Sequence, residues 1–520
     1  MTVALATLAA LALGGGYVAQ LVRWLRVLQR EHYEPSSLPR FLGRWTSPQV
    51  GSASTPLRRN LRRPLTLSHV LLVVLFVGLV LRSDVLLVID SALYGLLCPT
   101  GLKLRGRTSP LRWTRRSVTI AVVASFIALL VAVSGAFTAR PWFGAVVVLW
   151  AVPVMLDLTV RALAPYERRR AQVFVDRAAA RLAIVKPIVV AITGSFGKTS
   201  TKNHLALLVG DAAVASPRSF NNRAGLSRAI NENLSDGTRV FIAEMGTYGP
   251  GEIRELCGWC PPSIAVVTAI GPVHLERMKT LDVIDAAKFE ITERAPTVVV
   301  NGDDLRLRAW VERLRASGKR VVVAGSTYAP SDVRVVVDDG RWRIDRGGVT
   351  LTTCAMVAGV QVTNLACAIA AALELGVAVD DVVARVSLIV PIANRSNVAV
   401  APSGVTVIDD TFNANPASAV AAVDLLVARS GHGRRVLVTP GLVELGTDQY
   451  GQNLTLARRA SSLGLELVVV GRTNALALAS GYGTPPRRFD TRNDAVAWVR
   501  TSLGADDAVL YLNDLPDHYP

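Results

Sequence analysis

A glycine-rich turn near the middle of the chain has the residue types that bind nucleotide phosphates. The apolar run 188–193 leads into Gly-Ser-Phe-Gly-Lys-Thr-Ser-Thr at 194–201, and a helical stretch follows. Glycines let backbone N–H groups turn towards phosphate oxygens, and the N-terminus of the next helix adds its positive dipole end. A lysine here neutralises the β- and γ-phosphates, and a hydroxyl binds Mg²⁺. We therefore predict an ATP and Mg²⁺ site formed by Gly194, Ser195, Gly197, Lys198, Thr199 and Ser200.

Two further side chains suited to phosphate chemistry follow later apolar runs. Glu244 ends the run 240–244 and is placed there to hold Mg²⁺ against the phosphates, because hard cations prefer carboxylate oxygen. His274 follows the run 264–269 and would bind a second Mg²⁺ or orient its water. A loop histidine taken alone is more often packed and hydrogen-bonded, so its metal role depends on the phosphate loop and Glu244 that precede it.

The phosphate loop and the segments after it resemble the Mur ligases, a family of ATP-dependent ligases of bacterial cell-wall synthesis. The loop reads T-G-S-x-G-K-T-S-T, a variant in which Ile192 stands where the general phosphate-loop pattern has glycine. Other segments match the family's motifs in the family's order: N-N-x-x-G at 221–225, E-M-G at 244–246 with G-E-I at 251–253, T-x-I-G-x-x-H-x-E at 268–276, K-x-E at 288–290 and N-x-D-D at 301–304.

The resemblance implies roles for several of these residues. Lys288 would be carbamylated, as the equivalent lysine of the family often is, and its carboxylate would bridge to Mg²⁺. Asn301 would contact the nucleotide, and Asn221 and Asn222 would contact substrate. The resemblance thus implies that catalysis involves Lys198, Glu244, His274 and Lys288, and that Mg²⁺ is bound by Thr199, Glu244, His274 and Lys288.

A second group of motif residues lies in the C-terminal part of the chain. The string V-I-D-D-T-F-N-A-N-P-A-S at 407–418 is similar to the D-D-x-Y-N-A-N-P-x-S signature of the D-alanyl-D-alanine-adding branch of the family. By this match Arg395 would touch the ATP phosphates and take part in catalysis, and Asp410 would bind the ribose hydroxyls. Asn413 and Asn415 would shape the loop and its substrate contacts.

The elements around these motifs alternate between short β-branched runs and Ala/Leu-rich helical stretches, which indicates βαβ units and a mostly parallel sheet. The predicted strands are 188–193, 240–244, 264–269, 297–301, 320–324, 405–408, 435–439, 465–470 and 508–512. The predicted fold class is α/β, with a phosphate-loop sheet domain and a Rossmann-like C-terminal domain after an α-helical transmembrane region. The predicted domains are 1–170, 175–392 and 393–520.

The first third of the chain is rich in apolar runs. A membrane-spanning helix needs roughly 20 apolar residues, and the run 3–22 lacks a basic segment before it and a convincing cleavage site, so it predicts an uncleaved anchor. Of the later runs, 68–81 and 84–98 are short and predict either two spans or one re-entrant unit. The five predicted runs are 3–22, 68–81, 84–98, 117–137 and 141–163.

The distribution of basic residues predicts how these runs are oriented in the membrane. The formal net charge is +17, and arginine is concentrated at 23–63, 103–116 and 161–170. The positive-inside rule puts each segment in the cytoplasm, which predicts a multi-pass cell-membrane protein with cytoplasmic catalytic domains. The same arginines would contact anionic lipid. A basic protein can instead bind nucleic acid, but the sequence has no such motif, and we predict no nucleic-acid partner.

The resemblance implies an ATP-dependent amide-bond ligase that acts through an acyl phosphate. The family's N-terminal UDP-binding domain has no counterpart here, so the acceptor carboxylate would belong to a lipid-linked or a UDP-linked muramyl-peptide-type precursor, and the amine to an amino acid or dipeptide. A transport ATPase would carry an ABC-type signature, which is missing. A catalytically silent ATP-binding scaffold for envelope assembly would have lost Lys198, Glu244 or His274, and all three are present.

Overall fold

A helical region precedes two α/β sheets in the chain. The computed structural model describes residues 3–46, 67–99, 102–104, 110–138, 140–273, 275–357, 359–390, 397–411, 414–431 and 433–515. The helices of the first region are α1 Val3–Arg30, α2 Ser37–Thr46, α3 Leu67–Val80, α4 Asp84–Leu97, α5 Arg115–Ala136 and α6 Phe143–Val185. Each of the five predicted apolar runs is therefore helical over most of its length.

Three of these helices are long and apolar enough to cross a membrane, namely Ala4–Arg30, Arg115–Ala136 and Phe143–Val185. The other two, α3 and α4, have 14 residues each. At 1.5 Å per residue each is about 21 Å long, which is less than the roughly 30 Å of a bilayer's hydrocarbon core. The pair forms a short hairpin, and the choice between two spans and one re-entrant unit stays a prediction.

Arg23 lies inside the helical bundle, although its place in a basic cluster predicted a topology signal and a lipid contact. Its side chain is 6% exposed. Its guanidinium donates to the carbonyl oxygens of Gly95 at 2.7 Å, Cys98 at 3.1 Å and Leu102 at 3.1 Å. The last carbonyls of a helix have no partner within it, so Arg23 supplies the hydrogen bonds that end α4.

Described residues of the three basic segments contact one another. Gln29 Nε2 donates to the Arg112 carbonyl oxygen at 2.7 Å, which joins the end of α1 to the start of α5. The Arg116 guanidinium lies 4.6 Å above the Tyr33 ring and 3.6 Å from the Glu167 carboxylate on α6. These contacts bring the described parts of the three segments together, and their orientation relative to a membrane stays a prediction.

The helix α6 belongs to two hydrophobic cores. Val152 and Leu156 pack inside the helical bundle, while Ala178 and Leu182 pack into the core of the first sheet. With 43 residues the helix is about 65 Å long. It ends at Lys186, in the left-handed conformation, two residues before the first strand. It also runs through the predicted domain boundary at 170–175, which stays a prediction.

The first sheet has nine strands in the order β2-β3-β1-β4-β5-β6-β7-β8-β9. The pairings from β2 to β7 are parallel, and β7, β8 and β9 form an antiparallel meander that the sequence analysis missed. The strands are β1 Ile188–Thr193, β2 Ala213–Ala215, β3 Val240–Glu244, β4 Ile264–Val267, β5 Thr297–Asn301, β6 Arg320–Gly325, β7 Val333–Asp338, β8 Arg341–Arg346 and β9 Val349–Ala355. Its helices are α7 Lys198–Val209, α8 Arg223–Asn233, α9 Glu252–Trp259, α10 Leu275–Met278, α11 Leu281–Phe289, α12 Leu305–Ala316, α13 Val362–Glu374 and α14 Val379–Val386.

The second sheet has six strands in the order β10-β11-β15-β12-β13-β14. Only the pairing of β10 with β11 is antiparallel among the described strands of this sheet. The strands are β10 Asn397–Val400, β11 Thr406–Asp410, β12 Arg435–Thr439, β13 Glu466–Val470, β14 Arg487–Phe489 and β15 Ala508–Leu512, and the helices are α15 Pro416–Arg429, α16 Gln449–Ser462, α17 Ala475–Tyr482 and α18 Arg492–Ser502. The predicted α/β class with mostly parallel sheets is confirmed.

Glycines let α1 and α4 pack closely. A Cβ added at Gly95 would lie 2.7 Å from the Gly16 Cα atom, which is closer than real Cβ atoms approach. By contrast, no heavy atom of the described residues lies within 4 Å of a Cβ added at Gly14, two residues earlier on α1. Small residues at helix contacts are how membrane helices bring their backbones together.

This packing predicts that two glycine substitutions differ in their effect on stability. Gly95→Leu should lower the free energy of unfolding by about 1–3 kcal/mol, because its side chain would force α1 and α4 apart. Gly14→Leu is the matched control and should leave stability unchanged. The measurement is the thermal unfolding midpoint of each variant in detergent micelles, and equal midpoints would contradict the close packing.

Candidate active site

The glycine turn between β1 and α7 is held in a phosphate-binding shape. Gly197 has φ +82°, and a Cβ there would lie 2.2 Å from the Asn364 side-chain oxygen, so only glycine fits. Lys198 starts α7, and its ammonium donates to the Gly194 carbonyl oxygen at 2.6 Å. The lysine therefore lies folded over the loop, at the position from which it would contact a bound phosphate.

A second segment fixes this loop from the side. The Ser195 hydroxyl donates to the Gly271 carbonyl oxygen at 3.0 Å and accepts from the Gly271 N–H at 2.9 Å. Asn301, at the end of β5, donates from its amide to the Thr268 carbonyl oxygen at 2.8 Å. Asn301, predicted to contact the nucleotide, thus also anchors the segment that holds the phosphate loop.

Glu244 is the centre of a buried polar cluster beside the loop. It ends β3, next to Ile192 of β1, and is 1% exposed. Its carboxylate accepts from the Thr199 hydroxyl at 3.1 Å, from the Asn221 amide at 3.1 Å and from the Lys202 ammonium at 3.0 Å. The strand order therefore brings together three residues that the sequence predicted for this site and one that it did not.

The oxygen atoms of this cluster fit the Mg²⁺ that the resemblance implies. The Thr199 hydroxyl and the Glu244 carboxylate are hard oxygen ligands on adjacent elements, and Mg²⁺ binds proteins through one or two such groups while keeping several waters. The buried Lys202 ammonium forms an ion pair with the Glu244 carboxylate. A bound cation would place a second positive charge beside the same carboxylate. Within the described ranges no group of three or more His, Cys, Asp or Glu side chains surrounds a common point.

Lys288 lies buried on α11 close to the phosphate loop. Its side chain is 2% exposed. Burial, followed by the charge of Lys198, lowers the pKa of the Lys288 amine well below its usual range. This shift favours the neutral amine, which is the form that reacts with CO₂.

The second sheet contributes the opposite wall of the same cavity, whose volume is about 530 Å³. Asp410 at the end of β11 lines it, together with the first turn of α15. Asn415 caps that helix, because its side-chain oxygen accepts from the Ser418 N–H at 2.9 Å. The cavity thus lies between two helix N-termini, those of α7 and α15, which favours an anionic ligand.

Six of the predicted site residues are not among the described residues that line this cavity, and two of them are the buried Gly194 and Lys288. Asn222 caps α8 by accepting from the Gly225 N–H at 2.9 Å, and it is not among the described residues that line the cavity. His274, Arg395 and Asn413 lie outside the described residues.

The sequence analysis missed four residues of the site. Lys202 is four residues after Lys198 on α7, and that helical spacing was a usable signal. His204 on the same helix lines the cavity, and burial lowers the pKa of its imidazole to about 4, so it is neutral near pH 7. Tyr248 and Asn364 also line the cavity, and no motif marked either of them.

The Lys202–Glu244 pair predicts a large effect of a single substitution on stability. Lys202→Met should lower the free energy of unfolding by about 3–5 kcal/mol, because it leaves the Glu244 charge buried without its partner. Adding Glu244→Gln should recover much of this loss, since neither charge then remains. Thermal unfolding of both variants, with Lys319→Met as the half-buried control, is the measurement, and an unchanged midpoint for Lys202→Met would contradict the coupling.

Comparison with known proteins places these motifs in a family. The Mur ligase middle domain matches residues 192–372, which contain the phosphate loop, Glu244, Lys288 and Asn301. The UDP-N-acetylmuramoyl-tripeptide–D-alanyl-D-alanine ligase of Mycobacterium tuberculosis is 33% identical over 364 residues, which are 64% of this chain and 71% of that protein. The Bacillus subtilis protein of the same name is 28% identical over 265 residues, 50% of this chain and 57% of that one.

Solved structures have the same fold. MurF from Acinetobacter baumannii superposes with a TM-score of 0.57 and 24% identity, over 66% of this chain and 77% of that one. The MurF ligase from Thermotoga maritima in complex with ADP has a TM-score of 0.56 and 24% identity, over 66% of this chain and 80% of that one. The chain therefore belongs to the Mur ligase family of ATP-dependent carbon–nitrogen ligases.

Proposed function

We propose that the protein is an ATP-dependent amide-bond ligase of peptidoglycan precursor synthesis that works at the cytoplasmic face of the membrane. Its acceptor would be a muramyl-peptide carboxylate carried by a lipid, and its donor an amino acid or dipeptide amine such as D-alanyl-D-alanine. The observation that supports ligation most is the single cavity shared by the phosphate loop, Glu244 and Asp410. Ligases named for muramoyl tripeptide and D-alanyl-D-alanine are among its relatives.

In the proposed reaction a carboxylate oxygen of the acceptor attacks the γ-phosphorus of ATP, and the bond to the β-phosphate oxygen breaks. ADP leaves, and an acyl phosphate forms. The amine then attacks the acyl carbon, phosphate leaves with the bonding electron pair, and the amine loses a proton. Lys198 stabilises the charge of the transferring group, and Asp410 binds the ribose. Mg²⁺ held by Thr199 and Glu244 would supply further charge neutralisation.

A lipid-linked acceptor is favoured by how the catalytic part is attached to the helices. The C-terminal half of α6 is bound to α8 and the residue after it, which pack beside the first sheet. Asn231 donates to the Phe174 carbonyl oxygen at 2.9 Å, and Arg181 donates to the Leu234 carbonyl oxygen at 3.1 Å. No flexible linker is needed between α6 and β1, which are two residues apart. A simple anchor needs no such fixed orientation, whereas an enzyme whose substrate stays in the bilayer does.

The phosphate loop gives the first functional prediction. Lys198→Ala should lower ATP-dependent ligation by about 10²–10³-fold, because it removes a charge that stabilises the transferring phosphate. Folding and membrane insertion should be unchanged, since the hydrogen bond from the Lys198 ammonium to the Gly194 carbonyl oxygen lies within the loop itself. The measurement is product formation by the purified enzyme in liposomes, with Lys319→Ala as the control. Turnover like that of the natural enzyme would rule out the proposed ligase mechanism.

Lys288 gives a prediction about CO₂. If the buried amine is carbamylated, activity should fall in CO₂-depleted buffer and return when bicarbonate is added. Lys288→Ala should be inactive and partly rescued by short carboxylates such as acetate, which replace the missing carboxylate. Lys198→Ala should not be rescued in this way. Insensitivity to both treatments would mean that Lys288 acts as an ordinary amine.

The identity of the acceptor can be tested in cells. Mass spectrometry of membrane lipid extracts from cells with and without the gene should reveal a pyrophosphate-linked lipid that lacks one amino-acid or dipeptide mass when the gene is absent. Lipid profiles that are identical, together with a changed pool of UDP-linked peptides, would instead assign the soluble acceptor and leave the helices as an anchor.

A further inference from the structure

The loop between α1 and α2, residues 31–36, is built into the helical bundle. His32 and Tyr33 have φ values of +57° and +55°, and Ser36 has +65°. This left-handed conformation is unfavourable for residues with a Cβ, so contacts must hold it. The Arg116 guanidinium covers the Tyr33 ring at 4.6 Å, and the Ser36 N–H donates to the Asp157 carboxylate at 2.7 Å.

The same loop reaches the catalytic part of the molecule. The Arg277 guanidinium, on α10, lies 3.5 Å from the Glu31 carboxylate and forms an ion pair with Glu34. It also lies 4.6 Å above the Tyr248 ring, and the His32 ring is 6.0 Å from that ring. Tyr248 is therefore held between a residue of the membrane region and one of the first sheet.

Tyr248 lines the same cavity as the phosphate loop. It comes four residues after Glu244, while Asp410 belongs to the second sheet, across the cavity. An attacking carboxylate must approach the γ-phosphate from the side away from the rest of the nucleotide. The wall that Tyr248 forms is where the acceptor would lie.

The helix α10 is also in contact with the second half of the molecule. The Leu275 N–H donates to the Glu444 carbonyl oxygen at 3.0 Å, and a Cβ at Gly446 would meet Leu275 at 3.3 Å. A four-residue helix therefore joins the loop 31–36 to the segment after β12. Its position depends on the membrane region on one side and on the C-terminal sheet on the other.

We propose that the loop 31–36 of the membrane region and the Tyr248–Arg277 pair together form the acceptor-binding wall of the active site. Arg277 is a positioning residue, since Glu31 and Glu34 engage its charge and its guanidinium fixes the Tyr248 ring. The acceptor's head group lies against that ring, next to the bilayer. The inference rests on the proposed ligase function, and it assigns to the helical region a direct part in substrate binding.

The test compares acceptor and ATP kinetics in full-length enzyme reconstituted in liposomes. The acceptors are polyprenyl-pyrophosphate-linked muramoyl tripeptide and UDP-N-acetylmuramoyl-tripeptide, each with D-alanyl-D-alanine as the amine. Arg277→Ala should raise the KM for whichever acceptor the natural enzyme uses by at least about tenfold. The KM for ATP should stay within about twofold, because Arg277 is not among the described residues that line the cavity. Glu31→Gln/Glu34→Gln removes the same ion pairs from the membrane side and should give the same split.

Exchanging the charges of Arg277 and Glu34 distinguishes a positioning role of Arg277 from a general loss of structure in its variants. Arg277→Glu should be as defective as Arg277→Ala, and adding Glu34→Arg should restore part of the acceptor KM. Glu374→Gln, which breaks the exposed ion pair with Arg320 on the far side of the sheet, is the matched control and should change neither KM.

The outcomes distinguish the inference from the function on which it rests. An unchanged acceptor KM in both Arg277→Ala and Glu31→Gln/Glu34→Gln overturns the inference alone. An equal rise in both KM values, without rescue by the charge exchange, also overturns it. A natural enzyme that ligates neither acceptor overturns the proposed function and the inference with it. If Arg277→Ala fails to bind ATP and is therefore misfolded, the acceptor KM of the Glu31→Gln/Glu34→Gln variant decides whether the inference holds.

Discussion

The structure depends on one continuous helix that is part of two hydrophobic cores. The first half of α6 buries Val152, Leu156 and Val160 among the helices of the first region, and its second half buries Ala178 and Leu182 against the first sheet. Because the helix ends two residues before β1, and β1 leads into the phosphate loop, the ATP site has a fixed distance and orientation relative to the bundle. Rotation or translation of the catalytic part would require one of the two cores to open.

The chemistry of the site depends on a buried charge balance that this geometry allows. Glu244 is kept out of water, and the hydrogen bonds that Thr199, Asn221 and Lys202 donate to its carboxylate compensate for the lost hydration. Lys288, which has no such carboxylate bonded to it in the described structure, is instead driven towards its neutral form. Lys202 thus has an acidic partner within hydrogen-bond distance, whereas the pKa of Lys288 is lowered by burial and then by the charge of Lys198.

The sequence predicted the parts of the site that depend on local spacing. The phosphate loop, Glu244 at the end of β3 and Asp410 at the end of β11 follow from short motifs, and the parallel sheets bring them together as βαβ topology requires. The β7–β9 meander was missed, although the Asp339-Gly340 and Gly347-Gly348 turns are typical hairpin signals. The contact of His32 with Tyr248 could not be predicted, because the two residues are far apart in sequence and no periodicity links them. The same is true of Arg23, whose hydrogen bonds to the end of α4 arise only when the helices pack.

The claim that the membrane region places the active site can be tested by loosening α6. A flexible insert of about ten Gly and Ser residues after Pro165 would uncouple the bundle from the docked part of the helix, while both cores remain. The measurement is the rate of ligation of a lipid-linked acceptor and of the soluble UDP-linked acceptor by the same enzyme in liposomes. The account predicts at least a roughly tenfold loss for the lipid-linked acceptor only, with little effect from the same insert after Thr138. Equal rates for the lipid-linked acceptor with and without the insert would contradict it.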